Sequence, residues 1–339
     1  MASIIKVGSN ENVLGPSPKA LAAIDAALAD AYLYPEQQEA LLRSRLAGFI
    51  GCGLKEENFV TGNGSCDVLR LIIQAYIRPG KKSLIAAPTF NLYGVLTEMF
   101  GGAVATVPLK NYTVDLEALA EAIDADTALV FVCNPNNPTG TIVTHDRVAA
   151  FLERVPNGVV TVFDEAYMEF VEDPAFPHMA EFIRAGHDVL VTRTFSKLHG
   201  LAGLRIGYGF GRDDLVEKAR RNLLPFNGGR PAFVGATAAL EDEDHIQHSL
   251  EMVRRGRQQY YRALDEMGIG YVPTESNFIF LSKLPMSAQR ISEEATRRGI
   301  ILRPTDPFGL PENLRITFAR QDENALVLQA LREIINAPA

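Results

Sequence analysis

Short apolar runs alternate along most of the chain with segments whose apolar residues recur at helical spacing. The runs at 83–87, 103–107, 128–133, 159–163, 189–194 and 205–210 read as strands. Between many of them, 65–76, 92–100, 115–122 and 145–154 read as helices. Near-continuous apolar strands separated by helical crossovers predict an α/β unit: a mostly parallel sheet with helices on both faces. The rhythm changes near residue 240. A charged helix over 243–267 is followed by a strand at 277–281, a helix at 287–298, two short strands around Ile301 and Ile316, and a last helix at 323–335. This predicts a large domain over residues 30–240. A smaller α+β domain would combine residues 241–339 with an N-terminal arm, residues 1–29. A length of 339 residues suits two domains.

In parallel α/β sheets, ligands bind beyond the carboxyl ends of the strands, and several polar motifs fall there. The strand VLVTRT runs into Phe195-Ser196-Lys197, with Arg205 eight residues past the lysine. A lysine in a dry or cationic setting has a lowered pKa and can form a Schiff base. Ser196 and Arg205 suit a phosphate. The strand VVTVF delivers Asp164, with Tyr167 three residues on. An Asp there can hold a pyridine nitrogen protonated, which makes the ring an electron sink. A nucleotide-hydrolase reading of Asp164-Glu165 would need a G-x-x-x-x-G-K-[ST] loop, and the chain has none. The heptad NPNNPTG after ALVFVC is a rigid loop presenting Asn137. Thr61-Gly62-Asn63-Gly64-Ser65 opens an apolar helix and suits a phosphate at a helix N-terminus. It lacks the third glycine of a dinucleotide fingerprint, because position 67 is Asp. Together, two phosphate sites, a carboxylate, an amide and a phenol around one lysine specify a phosphorylated pyridine aldehyde held covalently by that lysine.

Charge and composition narrow the partners. Lys plus Arg number 33 against 41 Asp plus Glu, a net charge of −8, which argues against a dedicated nucleic-acid binder. No secretory signal and no apolar stretch of membrane-spanning length stands out, and three cysteines without metal spacing point to a reducing cytoplasm. His245 and His248 can share a helix face as metal ligands, but the flanking EDEDH run reads better as a solvated helix start.

The motifs as a set resemble the fold-type-I pyridoxal-phosphate aminotransferases, and within them the histidinol-phosphate aminotransferase family. The strings that carry the resemblance are NENVLGPSP (10–18), YP (34–35), TGNGS (61–65), PTF (88–90), NPNNPTG (134–140), DEAY (164–167), TFSKLHGLAGLRIGYG (194–209), ILRP (301–304) and LRIT (314–317), and they span nearly the whole chain. The resemblance implies pyridoxal phosphate bound to Lys197, which also shuttles the proton. It implies Asp164 at the pyridinium nitrogen, Asn137 and Tyr167 at the ring's phenolic oxygen, and Phe90 stacked on the ring. Gly64, Ser65, Ser196 and Arg205 would hold the cofactor phosphate, with Cys66 and Thr194 completing the cofactor-binding set. Arg315 would bind the substrate carboxylate, and Arg303, Asn10 and Asn12 would line the substrate pocket. Tyr34 would reach the cofactor of a partner subunit in a homodimer. The implied reaction moves an amino group between histidinol phosphate, or a related and possibly aromatic amino acid, and 2-oxoglutarate. The alternative is a decarboxylase of a phosphorylated amino acid such as threonine phosphate. Four features depart from the family: Cys66 where an acidic residue is common, Gly228-Gly229-Arg230, His199 where an aromatic is common, and a short N-terminal arm.

Overall fold

Seven strands build the main sheet, in the spatial order Phe59–Gly62, Gly207–Gly211, Val189–Thr194, Val160–Asp164, Thr127–Cys133, Lys82–Ala87 and Ala103–Pro108. The computed structural model describes residues 4–337. From Val189–Thr194 to Ala103–Pro108 every pairing is parallel. Gly207–Gly211 pairs antiparallel with both of its neighbours. Val160–Asp164 and Val189–Thr194 are buried along their whole length, which is what a helix-covered parallel sheet requires of its apolar runs. Cys133 lies opposite Asp164, and Asp164 opposite Thr192, so the carboxyl ends of the central strands finish side by side. The predicted mostly parallel sheet with its helical cover is the observed one.

Two differences bear on the site. The strand expected over 205–210 begins only at Gly207, because Arg205 closes a short helical turn in the left-handed region with φ 54°. That turn frees the Arg205 side chain from the sheet. The edge strand Phe59–Gly62 is too short for its alternation to stand out, yet it leads directly into the helix Ser65–Tyr76. Gly207 sits where a Cβ would collide with the backbone nitrogen of Ser65, so a glycine there lets the helix start touch the sheet.

The second unit is a four-stranded antiparallel sheet in the order Arg303–Thr305, Leu310–Thr317, Phe278–Lys283 and Gly270–Val272. Its core includes Tyr260 and Leu264 of the helix Glu243–Met267, Ile291 of Ala288–Arg297 and Leu331 of Gln321–Asn336. The arm strand Ile5–Lys6 pairs parallel with Ile300–Ile301, and Val7 joins this core. The boundary expected after residue 29 falls earlier. The helix Pro18–Leu28 packs on Arg230–Ala239, and its Ala20 is buried in the core of the main sheet. Only the residues before that helix belong with the small sheet. Among the described residues, no helix is long and apolar enough to cross a membrane.

Candidate active site

An open cavity of about 340 Å³ lies where the strand ends, the arm and the small sheet meet. Its walls include Ser65, Cys66, Phe90, Asn137, Asp164, Tyr167, Thr194, Ser196, Lys197, Arg205, Arg303 and Arg315. Residues separated by up to 307 positions in sequence, Gly8 and Arg315, are therefore brought into one space. Gly64 stands just behind this wall, beside the Arg205 guanidinium, and turns the chain at φ 80°, a conformation that favours glycine.

Asp164 ends its strand fully inside the protein. One carboxylate oxygen, Oδ2, accepts from the Tyr93 hydroxyl at 2.7 Å, while Oδ1 is buried with no partner. Burial pushes the Asp164 carboxyl above its usual range, against the Tyr93 hydrogen bond, the nearby Thr192 hydroxyl and Ala166 amide, and the charge of Lys197. An unsatisfied buried carboxylate oxygen costs stability unless a ligand donates to it. The structure adds Tyr93 to the residues legible in sequence. It is fully buried, stacked on Phe131 at 4.7 Å, and edge-on to Phe90 at 5.6 Å. Its signal in the chain was its place in the first turn of Leu92–Met99, three residues after Phe90.

Lys197 is half-buried, with Nζ donating to the Ser9 carbonyl at 3.1 Å and lying 5.7 Å from the Tyr167 ring centre. Burial, then the nearby Arg315 charge, pushes its ammonium down to about 8. A lysine with that proton affinity holds a substantial neutral fraction near pH 8 and can act as nucleophile and base. One residue before Thr194, Arg193 donates to Glu165 at 2.8 Å in a buried ion pair. This pair ties the residue after Asp164 to the residue before Thr194. Removing either member would leave an uncompensated buried charge, at a cost of about 3 to 5 kcal/mol.

A corner suited to an anion is made by Ser65 and Cys66 at the start of Ser65–Tyr76, by Ser196, and by Arg205. Arg205 donates to the carbonyls of Ala202 at 2.9 Å and Asn63 at 3.4 Å, and makes no carboxylate pair among the described residues. Helix-start N–H groups next to an unpaired guanidinium form an anion site. The Cys66 thiol is pushed up by burial and by the Asp164 charge, so it is a neutral wall rather than a thiolate.

Arg315 and Arg303 lie opposite each other on adjacent strands of the small sheet. Arg315 donates to Asn137 Oδ1 at 2.5 Å and to the Gly8 carbonyl at 2.8 Å, and its Nε has no partner. Burial, with Arg303 adding to it, lowers Arg315 to about 10. Neither guanidinium pairs with a carboxylate among the described residues.

The remaining sequence expectations fall outside the cavity wall. Asn10 is buried, donating to the Tyr167 hydroxyl at 2.9 Å and accepting from Thr317 at 3.1 Å. Asn12 donates to the Leu198 carbonyl at 2.7 Å and to Ser249 at 2.9 Å. With these amides committed, both residues brace the wall, and it is Gly8, Ser9 and Glu11 of the arm that face the cavity. Tyr34 is exposed and stacks on Phe226 at 3.9 Å, away from the cavity of its own chain. His199 is buried against Phe195, which lowers its imidazole to about 4 and keeps it neutral.

A family model described as aminotransferase class I and II matches residues 2–331. The chain belongs to this aminotransferase family. Its relatives include the histidinol-phosphate aminotransferase of Moorella thermoacetica, 41% identical over 98% of this chain and 86% of the relative. Another, from Akkermansia muciniphila, is 40% identical over 98% of this chain and 90% of the relative. Among solved structures, the histidinol-phosphate aminotransferase of Sinorhizobium meliloti in complex with pyridoxal-5'-phosphate aligns with a TM-score of 0.90 at 28% identity, covering 98% of this chain and 91% of that one. The L-threonine-O-3-phosphate decarboxylase of Porphyromonas gingivalis aligns with a TM-score of 0.87 at 22% identity, covering 98% of this chain and all of that one. At that identity the likeness is one of fold alone.

Proposed function

We propose that this aminotransferase uses pyridoxal phosphate and moves an amino group from histidinol phosphate to 2-oxoglutarate. The observation that carries the reading is one cavity shared by Lys197, the unpartnered Asp164 oxygen and the two guanidiniums Arg303 and Arg315. The full-length relatives named for this substrate support it. No feature of the site favours the decarboxylase alternative.

The residues fit the cofactor. Asp164 Oδ1 lacks a donor, as a protonated ring nitrogen would supply. The corner of Ser65, Ser196 and Arg205, where Gly64 turns at φ 80° beside the guanidinium, has the make-up of an anion cradle. When bound, pyridoxal phosphate supplies an aldehyde that condenses with primary amines and a ring that accepts the electron pair released at the substrate carbon. Asp164, held by Tyr93, would keep the ring nitrogen protonated. Phe90 offers an aromatic face to the ring, and Asn137 and Tyr167 offer an amide and a phenol to its hydroxyl. Lys197 is the nucleophile toward the aldehyde. Released by an incoming amine, it would take the proton from the substrate carbon and deliver one to the former aldehyde carbon, across the nitrogen that joins the two. Arg303 and Arg315 hold the anionic group of each substrate in turn: the phosphate of histidinol phosphate or the carboxylates of the keto acid.

A homodimer is part of the proposal. Tyr32, Leu33, Tyr34, Leu224 and Phe226 are large apolar side chains left exposed, and such residues mark association surfaces. Cytoplasmic residence suits three free cysteines. The test is a half-reaction screen of the cofactor-loaded protein. Histidinol phosphate should bleach the visible cofactor band faster than phenylalanine, tyrosine or threonine phosphate, and a faster response to any of these would overturn the substrate assignment.

A further inference from the structure

We propose that Glu11 is a specificity-determining residue that accepts a hydrogen bond from the N–H-bearing ring of the amine substrate. The inference rests on the functional reading above and sharpens its substrate class. Histidinol phosphate presents three recognisable groups: a phosphate, a primary amine, and an imidazole that donates through N–H and becomes cationic near pH 6.5. The guanidiniums of Arg303 and Arg315 suit the phosphate, and the amine must reach the reacting centre beside Lys197. The ring then needs an acceptor. Among the described residues lining the cavity, the carboxylates are Asp164 and Glu11. Asp164 lies at the floor, buried at its strand end, and its free oxygen matches the cofactor nitrogen. The other groups that could become anionic, the Cys66 and Cys133 thiols and the Tyr167 phenol, are pushed up by burial and remain neutral. Glu11 is left as the one anion with a free role.

The arm holds Glu11 in place before any ligand arrives. The Thr317 amide donates to Val7, the Asn10 amide donates to the Thr317 hydroxyl at 2.9 Å, and Asn277 donates to the Asn10 carbonyl at 3.1 Å. Asn10 turns the chain through the left-handed region with φ 58°, which sets the direction of the next residue. The present partner of Glu11 is Lys6, at 2.6 Å, and Lys6 is itself exposed. A surface ion pair of this kind is worth at most about 1 kcal/mol, so exchange for a ligand donor is easy. The Glu11 charge also reaches the reacting lysine, where it is the largest influence opposing burial and Arg315. One carboxylate therefore faces both the reacting centre and the mouth. A benzene ring offers it no donor.

The experiment uses two unreactive ligands that lack the amine, 3-(imidazol-4-yl)propyl phosphate and 3-phenylpropyl phosphate, titrated calorimetrically into the cofactor-loaded protein. Glu11→Met, which keeps the length and removes both acceptor oxygens, should weaken the imidazole ligand about tenfold and the phenyl ligand less than twofold. Glu11→Asp should fall between. In turnover, KM for histidinol phosphate should rise about tenfold with a smaller change in kcat. Equal weakening of both ligands would mean that Glu11 acts only through Lys197 or the arm, and would overturn the assignment. So would unchanged binding of the imidazole ligand. Wild-type protein that fails to convert histidinol phosphate would instead overturn the functional reading, and the assignment with it.

Discussion

The two walls of the cavity are built differently. One wall stands on the carboxyl ends of neighbouring parallel strands, where Asp164 and Thr194 follow directly from sheet register. The other is assembled from the arm and the small sheet, tied by hydrogen bonds between residues 307 positions apart, such as Asn10 to Thr317 and Arg315 to Gly8. The first wall carries chemistry that every member of an aminotransferase family must perform. In the proposed function, the second carries the side chains that meet the variable part of the substrate. Changes in the first wall should therefore abolish turnover with every amine, and changes in the second should redistribute preference among amines.

The largest effect is expected at Lys197. Lys197→Ala should lose the visible band of the loaded protein and lower turnover at least about 10³-fold, whichever amine is supplied. A variant that retains the band would remove Lys197 from its role. Next is Asp164→Asn, expected to slow the half-reaction about 10²- to 10³-fold through loss of a preorganised charge, measured by stopped-flow absorbance. Near-normal rates would show that the ring nitrogen needs no carboxylate.

Arg315→Gln crosses to the second wall. It should raise KM for phosphorylated and dicarboxylic substrates about 30- to 100-fold, with kcat changed less. It also tests the link between the walls. Arg315 is the largest charge holding the Lys197 ammonium down, after burial itself. Cofactor uptake by the cofactor-free protein needs the neutral amine, so its rate should rise with pH through about 8. Removing the Arg315 cation should move that midpoint upward, and a midpoint that stays put or falls would break the link. The smallest effect is expected at Tyr93→Phe. It strips one hydrogen bond from a buried carboxylate, and a cost of about 1 to 2 kcal/mol corresponds to roughly a 5- to 30-fold loss of turnover. An unchanged pH response of the visible cofactor band in that variant would place Tyr93 in packing alone.

The contrast between the walls also explains what was legible in the chain. Buried parallel strands are continuous apolar runs, so Val189–Thr194 and the motifs at its end could be read directly. Ser65–Tyr76 was legible for a similar local reason, glycines before an amphipathic helix. Glu36–Ile50 was not, because only Leu42, Leu46 and Ile50 of its fifteen residues are buried and its polar residues blur the period. Phe59–Gly62 is four residues long and too short to show alternation. Asn10 and Asn12 were recognisable as a motif, but their direction was not. Which residues of the arm face the cavity depends on pairing with Thr317 and Asn277, contacts that no local pattern encodes. Tyr93 was hidden for another reason: as a buried aromatic on a helix it looks like core until its hydroxyl is found on Asp164.

The most direct test of the central claim follows the nitrogen itself. Histidinol phosphate carrying ¹⁵N in its amino group is incubated with 2-oxoglutarate and a catalytic amount of the pyridoxal-phosphate-loaded protein, and the products are read by mass spectrometry. The proposed function predicts ¹⁵N-glutamate in amounts that match the histidinol phosphate consumed. Absence of labelled glutamate, together with carbon dioxide release from threonine phosphate by the same preparation, would contradict it.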